Sequence, residues 1–427
     1  MRYLFIHQNF PGQFRHVAKA LADDPDNQVI ALGEAANLKA RGALHPRIRL
    51  LGYQRGAGGQ KHTHHYLQDF EGHVRRGQTV VRLLLKLRDE EGWQPDVIVA
   101  HPGWGEGLFL KDVFPQARLI QYFEYYYHGT GGDVGFDPQF PATLDDRLRV
   151  RLKNSTQLHS LVGCDQGISP TGWQQSRYPA ELQHKIEVIH EGIDTQVVKP
   201  EPAAWVEING QRFTAGDEVV TYIARNLEPY RGFHTFMRSL PGLLALRPGA
   251  RVVIVGGDRV SYGERLPEGQ SWRQRYCAEL QDQVDWQRVF FVGQVPYADY
   301  LKILQVSATH VYLTYPFVLS WSMLEAMAAG CLLVASDTPP VKEVIKHAHN
   351  GLLVDFFDAR RLAETVAATL ADPARYQALR DQARQTIVER YDLKHVCLPR
   401  MLDLLRHARP PDLPYDTTPA PRPLQAP

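Results

Sequence analysis

Twelve short apolar runs punctuate this chain, and an amphipathic stretch follows almost every one. In the first half they cover residues 3–7, 28–32, 97–100, 119–122, 166–168 and 186–189. In the second half they cover 219–224, 251–255, 289–292, 310–313, 332–335 and 351–354. Each is rich in Val, Ile, Leu or aromatic residues, too continuous for a strand with one wet face. Strands covered by helices on both sides have this composition, and strand–helix alternation implies parallel, right-handed βαβ units. The pattern restarts at Val219, after a stretch, residues 199–218, with the Pro, Gly and polar residues of a linker. The expected fold class is α/β: two Rossmann-like, doubly wound parallel-sheet domains facing across a cleft. The expected domains are residues 1–198 and 199–391, with a helix at about 392–408 packing back on the first. Residues 409–427 carry seven prolines in nineteen positions and are expected to be a disordered tail.

Composition removes several classes of function. The 48 Lys+Arg and 47 Asp+Glu leave a formal charge of +1 over 427 residues, so no basic footprint for nucleic acid exists. Four cysteines (Cys164, Cys277, Cys331, Cys397) lie far apart without a CxxC, which argues against a disulfide framework and a structural zinc site and suits a reducing, cytoplasmic setting. The first apolar run meets Pro11-Gly12 before any cleavage pattern, so no secretory leader is expected. The weakly charged stretch 311–336 contains Pro316, Ser320, Glu325 and Gly330 and reads as strand, loop, helix and strand rather than a bilayer span. Peripheral membrane contact and oligomeric state stay open.

Open parallel sheets hold ligands beyond the carboxyl ends of their strands. In the second half one run ends in Arg225, and NLEPY leads to Arg231. Two guanidinium groups at one strand end suit a diphosphate, each through bidentate charge-assisted hydrogen bonds; an isolated pair of surface arginines would read the same way. The run HVYLTYP opens into FVLS and a helical WSMLEAMAAG, with Ser320 as N-cap and Gly330 beyond the end. First-turn N–H groups near Trp321 and Ser322 lack helical partners there, which makes an anion site. Glu325, just inside, suits two vicinal ribose hydroxyls, or else simply complements the helix dipole.

In the first half, HQNFPGQF follows the opening run, and Gly12 allows close backbone approach to phosphate, or is ordinary turn punctuation. His101 follows DVIVA directly. Glu124 and His128 sit among tyrosines after RLIQYF, a composition suited to sugar recognition or simply to an exposed strand end. His62–His65 lacks a carboxylate or thiol framework and is expected in a mobile loop near an acceptor; residues 52–76 carry no decodable pattern. The DxD at Asp24–Asp26 ends a helical stretch and reads as a turn. GWGEG lacks the rest of a dinucleotide fingerprint.

The segments YIARNLEPYRGF, VGQVPYADYLKILQVSATHVYLTYP, SMLEAMAAGCLLVASDTPPVKEVI and NGLLV resemble the C-terminal domain of family 4 retaining glycosyltransferases of the GT-B fold. SPTGWQQSRYP, IEVIHEGIDTQVVKP and FIHQNFPGQFRHVAKAL extend the resemblance over nearly the whole chain except the tail. It implies a nucleotide-diphosphate sugar as donor, a hydroxyl acceptor (glycan, lipid or small molecule), and hexosyl transfer with retention. It assigns Arg225 and Arg231 to the diphosphate, Glu325 to the ribose as second glutamate of E-x7-E, and His101 to the donor sugar. Ser320, Trp321 and Ser322 fall at the donor-binding helix tip, and His190 and Glu191 take the interdomain place of the usual Asn-Gly. Two departures stand out: Arg231 replaces the usual Lys, and Phe317 replaces the first glutamate. No cofactor and no metal are expected, since guanidinium groups and a helix N-terminus can do a divalent ion's work. The alternatives are a non-catalytic nucleotide- or glycan-binding member of the fold, or a nucleotide-sugar epimerase; a phosphorylase would need a lysine for pyridoxal phosphate, and none is convincingly placed.

Overall fold

A computed structural model describes residues 1–54 and 62–407. They form two compact units: residues 1–191 with 397–407, and residues 192–396.

The first unit holds a seven-stranded sheet. Its strands are β1 (Arg2–Ile6), β2 (Gln28–Glu34), β3 (Ile48–Tyr53), β4 (Val97–Ala100), β5 (Arg118–Tyr122), β6 (Gln166–Ser169) and β7 (Ile186–Val188). The order is β3-β2-β1-β4-β5-β6-β7, and every neighbouring pair is parallel. β1 shows why its sequence is apolar throughout. Tyr3 and Phe5 pack on one face with helices Arg15–Asp23 and Leu398–Arg406, while Leu4 and Ile6 pack on the other with Val80 and Leu84 of helix Gln68–Asp89. β3 is absent from the apolar runs for a physical reason. It is one of the two edge strands, and Arg49 and Gly52 within it are exposed and break the apolar run.

The second unit opens with an antiparallel hairpin, β8 (Trp205–Ile208) and β9 (Gln211–Thr214). Its parallel sheet contains β10 (Val219–Asn226), β11 (Arg251–Gly257), β12 (Val289–Gly293), β13 (Thr309–Tyr312), β14 (Leu332–Ser336) and β15 (Leu352–Val354), in the order β12-β11-β10-β13-β14-β15. The supposed linker 199–218 is therefore structured. Asn209 and Gly210 turn the hairpin with φ of 52° and 77°, and Val206, Ile208 and Phe213 are buried in the core.

The units divide at 191/192 and 396/397 rather than at 198/199 and 391/392. Ile193 bridges Asp392, Val198 is buried in the second core, and the Arg384 guanidinium donates to the carbonyls of Thr195 and Val198, each at 3.2 Å. The C-terminal helix is Leu398–Arg406, and Met401, Leu404 and Leu405 join the core of the first unit. The Pro-rich stretch 409–427 lies outside the described residues.

Both parallel sheets reverse their winding beside their first strand: between β1 and β4, and between β10 and β13. A crevice beyond the strand ends is expected at each such point. No helix among the described residues is long and apolar enough to cross a membrane.

Candidate functional site

Arg225 lies at the carboxyl end of β10 and is exposed. Arg231 is partly buried. Its Nη1 donates to Thr314 Oγ1 at 2.8 Å and to the Val318 carbonyl at 3.0 Å, tying it to the loop that leaves β13. The Tyr222 hydroxyl donates to the Arg231 carbonyl at 2.6 Å, and the guanidinium sits 5.5 Å from the centre of the Tyr262 ring. The sequence reading missed Glu228. Its buried carboxylate accepts the backbone N–H groups of Ser261, Tyr262 and Gly263, each at 3.1 Å, and so fixes the loop that carries Tyr262.

The loop from β13 ends in helix Trp321–Ala328 with Ser320 as N-cap. Ser320 Oγ accepts the Ser322 N–H at 3.4 Å, so that first-turn donor already has a partner, though a long one. Trp321 is exposed. Glu325, one turn in, is not an open carboxylate. Tyr297 and Tyr300 donate to its two oxygens at 2.7 and 2.6 Å, and burial raises its pKa. Each carboxylate oxygen keeps a second lone pair for a hydroxyl. The two tyrosines stand three residues apart on helix Tyr297–Gln305, a spacing that puts both on one face. Phe317, where the family pattern has a glutamate, is buried with its ring against Tyr262 (5.0 Å) and Tyr230 (5.7 Å).

In the first unit the strand-end residues converge. Gly12 has φ of 47°, and a Cβ there would lie 2.5 Å from the His7 ring, so any other residue would be strained and would have to displace that ring. His7 Nε2 pairs with Gln13 Oε1 at 2.8 Å, and Gln13 Nε2 donates to Glu124 Oε1 at 3.4 Å. His101 Nε2 is 3.7 Å from Glu124 Oε2. The His101 ring stacks on Trp104 and Tyr122, and its Nδ1 accepts the Gly103 N–H at 3.1 Å. Burial, with His101 next in size, lowers the pKa of His7 to about 3. Glu191 accepts from the Tyr122 hydroxyl and lies 3.5 Å from His190 Nε2; Gln13 and both of these residues line one small cavity. Gly12, His101 and Glu124 thus belong to one network, joined through Tyr122 to Glu191. His128 does not enter it; its Nε2 donates to the Arg177 carbonyl at 2.6 Å.

The model of a family described as "Glycosyl transferase family 4 group" matches residues 25–198, and that of "Glycosyl transferases group 1" matches residues 206–386. The chain belongs to the family 4, group 1 glycosyltransferases. It is 27% identical over 325 residues to a glycogen synthase of Mycobacterium tuberculosis, across 73% of this glycosyltransferase and 69% of that relative. Among solved structures, sucrose-phosphate synthase from Thermosynechococcus elongatus superposes with a TM-score of 0.70 at 19% identity, over 95% of this chain and 98% of the other. Anabaena Alr3699/HepE in complex with UDP and glucose gives 0.64 at 17% identity, over 96% and 100%. Those likenesses show the GT-B fold.

No group of three or more His, Cys, Asp or Glu side chains able to hold a metal ion occurs among the described residues of this glycosyltransferase. In the histidine cluster, His64 stacks on His65, whose Nε2 lies 3.6 Å from Asp145 Oδ1. The expected mobile acceptor loop is helical from Gln68, while residues 55–61 lie outside the described part. Asp24 Oδ1 accepts the Asp26 N–H at 3.0 Å, closing a turn.

Proposed function

We propose that this glycosyltransferase moves a hexose from a nucleotide-diphosphate sugar to an acceptor hydroxyl, with retention and without a metal ion. The observation that carries the reading is Arg231, braced by Thr314 and the Val318 carbonyl at the switch point of the second sheet, beside a capped helix N-terminus. Arg225 at the neighbouring strand end supplies a second, exposed guanidinium. As the bond from the anomeric carbon to the diphosphate breaks, charge grows on the leaving group. Guanidinium groups and helical N–H donors stabilise that charge more as it develops, which lowers the barrier. The acceptor oxygen forms the new bond to the anomeric carbon from the leaving-group face, and its proton passes to a phosphate oxygen. Glu325, oriented by Tyr297 and Tyr300, receives the ribose hydroxyls. His101 contacts the transferred sugar. UDP-glucose is the first donor to offer, because Alr3699/HepE holds UDP and glucose.

A panel of UDP-, GDP- and ADP-sugars with glycan, lipid and small-molecule acceptors tests the reading. The expected product keeps the donor's anomeric configuration by proton NMR, and EDTA leaves the rate unchanged. An inverted product, or a rate restored only by Mg2+ or Mn2+, would remove retention or metal independence respectively. Phe317 favours one second reading, a nucleotide-binding protein without transfer; binding of a nucleotide with neither hydrolysis nor transfer across the panel would select it.

A further inference from the structure

We propose that Gln13 and Glu124 form a hydroxyl-binding site at the carboxyl end of the first sheet, with His101 as its second wall, and that His7 is the positioning residue that holds it. The proposal deepens the reading of the chain as a sugar-transferring enzyme and rests on it.

Hydrogen directions carry the argument. A backbone N–H can only donate. Asn9 N–H points at His7 Nδ1 at 2.9 Å, so that nitrogen is bare and the ring proton of neutral His7 sits on Nε2. His7 Nε2–H therefore donates to Gln13 Oε1 at 2.8 Å. This fixes which way the Gln13 amide faces, and its NH2 donates to Glu124 Oε1 at 3.4 Å. A backbone N–H sets the other histidine in the same way: Gly103 N–H occupies His101 Nδ1, leaving the proton on Nε2. That Nε2 belongs to a side chain only 3% exposed, has no hydrogen-bond partner, and faces Glu124 Oε2 from 3.7 Å.

An unbonded buried donor is costly unless a ligand completes it. Here a donor and a carboxylate oxygen face one another just beyond bonding distance. A hydroxyl matches both: its oxygen accepts from His101 Nε2–H and its proton goes to Glu124. The Trp104 and Tyr122 rings stacked on His101 at 4.6 and 5.6 Å keep the imidazole from turning away. The His7 ring in turn fills the space beside Gly12, so the tight turn and the hydrogen-bond chain depend on the same side chain. The hydroxyl belongs either to the transferred sugar or to the acceptor, and kinetics separates these sources.

Full-length variants Gln13→Leu, His7→Phe, His7→Gln and Glu124→Gln are compared with the parent. Loss of one charge-assisted link predicts about a tenfold fall in kcat/KM for Gln13→Leu and His7→Phe, and a larger fall for Glu124→Gln. UDP affinity stays within about twofold, since these groups hold a hydroxyl and not the nucleotide. His7→Gln, which again presents an N–H toward Gln13, recovers most of the loss. A rise in donor KM assigns the hydroxyl to the transferred sugar; a rise in acceptor KM assigns it to the acceptor. Unchanged turnover in Gln13→Leu and His7→Phe, or a loss that tracks UDP affinity, overturns the proposal. Imidazole 15N spectra give an answer without turnover. The parent must show neutral, Nε2-protonated His7, and at least one of glucose, UDP-glucose and the acceptor used in the kinetics must shift the His101 Nε2 resonance in the parent but not in Glu124→Gln. Failure of either overturns the site. Absence of transfer by the parent, with those spectra as expected, overturns only the enzymatic reading.

Discussion

At the switch point of the first sheet a carboxylate, Glu124, collects the Gln13 amide and faces the buried His101; at that of the second, a cation, Arg231, directs its own donors to Thr314 and the Val318 carbonyl. The backbone beneath them is nearly the same. Each sheet winds outward from its first strand in both directions, and each first strand leads through a short 3-10 turn into a helix beside a glycine of positive φ, Gly12 at 47° and Gly232 at 70°. Beside Gly12 stands an imidazole, and beside Gly232 an aliphatic side chain, Leu313. One topology therefore carries two side-chain chemistries: neutral donors arranged around an acid, and a cation beside a capped helix end. The difference lies in side chains at loop positions, where a fixed scaffold leaves chemistry free to vary.

The largest expected effect probes the shared backbone. Gly232→Ala should destabilise by about 3 kcal/mol, because strained φ adds to a Cβ placed 2.3 Å from the Leu313 Cβ, an atom close to backbone. Gly12→Ala should cost less, about 2 kcal/mol, because the His7 ring can swing aside, and it should also cut the link to Gln13. Urea unfolding measures both, and equal losses would break the comparison. Next come the arginines. Arg225→Ala should weaken UDP binding about tenfold at unchanged melting temperature, while Arg231→Ala should weaken it by a similar factor and lower the melting temperature as well. Calorimetric titration reads this; full UDP affinity in Arg225→Ala would detach the exposed guanidinium from the donor.

A third contrast uses acid. Burial holds His7 and His310 each at a pKa of about 3, far below the usual histidine value. A depressed folded value means the contribution to stability is present above about pH 6.5 and is lost as pH falls toward 3. His7→Gln or His310→Gln should each flatten the fall in melting temperature between pH 6.5 and 4, and an unchanged slope in either would show that its imidazole is not held neutral. The smallest effect is expected at Ser320. Its 3.4 Å contact to the Ser322 N–H is long, so Ser320→Ala should cost about 1 kcal/mol at most, with UDP affinity changed about twofold. A tenfold loss would make the serine hydroxyl a donor-binding group in its own right.

Much of this architecture is legible in the sequence because strands covered on both faces are apolar throughout: Tyr3, Leu4, Phe5 and Ile6 alternate between two cores and leave no polar gap. The same rule hides β3, whose Arg49 and Gly52 face solvent at the sheet edge. Hairpin β8–β9 was readable from Asn209-Gly210 between alternating runs, but its polar residues on the open face look like a linker. In the candidate site, residues that directly follow an apolar run, such as His101 and Arg225, can be picked from the sequence. His7 cannot, because it closes its run like a core residue, and Gln13 cannot, because nothing local says that an amide will meet Glu124 from 111 positions away. Tyr297, Tyr300 and Glu228 escape for the same reason. Their roles depend on partners that only tertiary folding brings near.

Helix Leu398–Arg406 has a consequence for synthesis. It covers the face of β1 that carries Tyr3 and Phe5, and the Arg118 guanidinium donates to the Leu404 carbonyl at 2.6 Å. A nascent chain that has released its first 191 residues from the ribosome therefore still shows an apolar flank, and residues 192–396 must be made before helix Leu398–Arg406 can seal it. The half that starts first is thus completed only after the second, so a chaperone guarding that flank, or a stop codon just before Leu398, would act on the first unit through residues more than two hundred positions downstream.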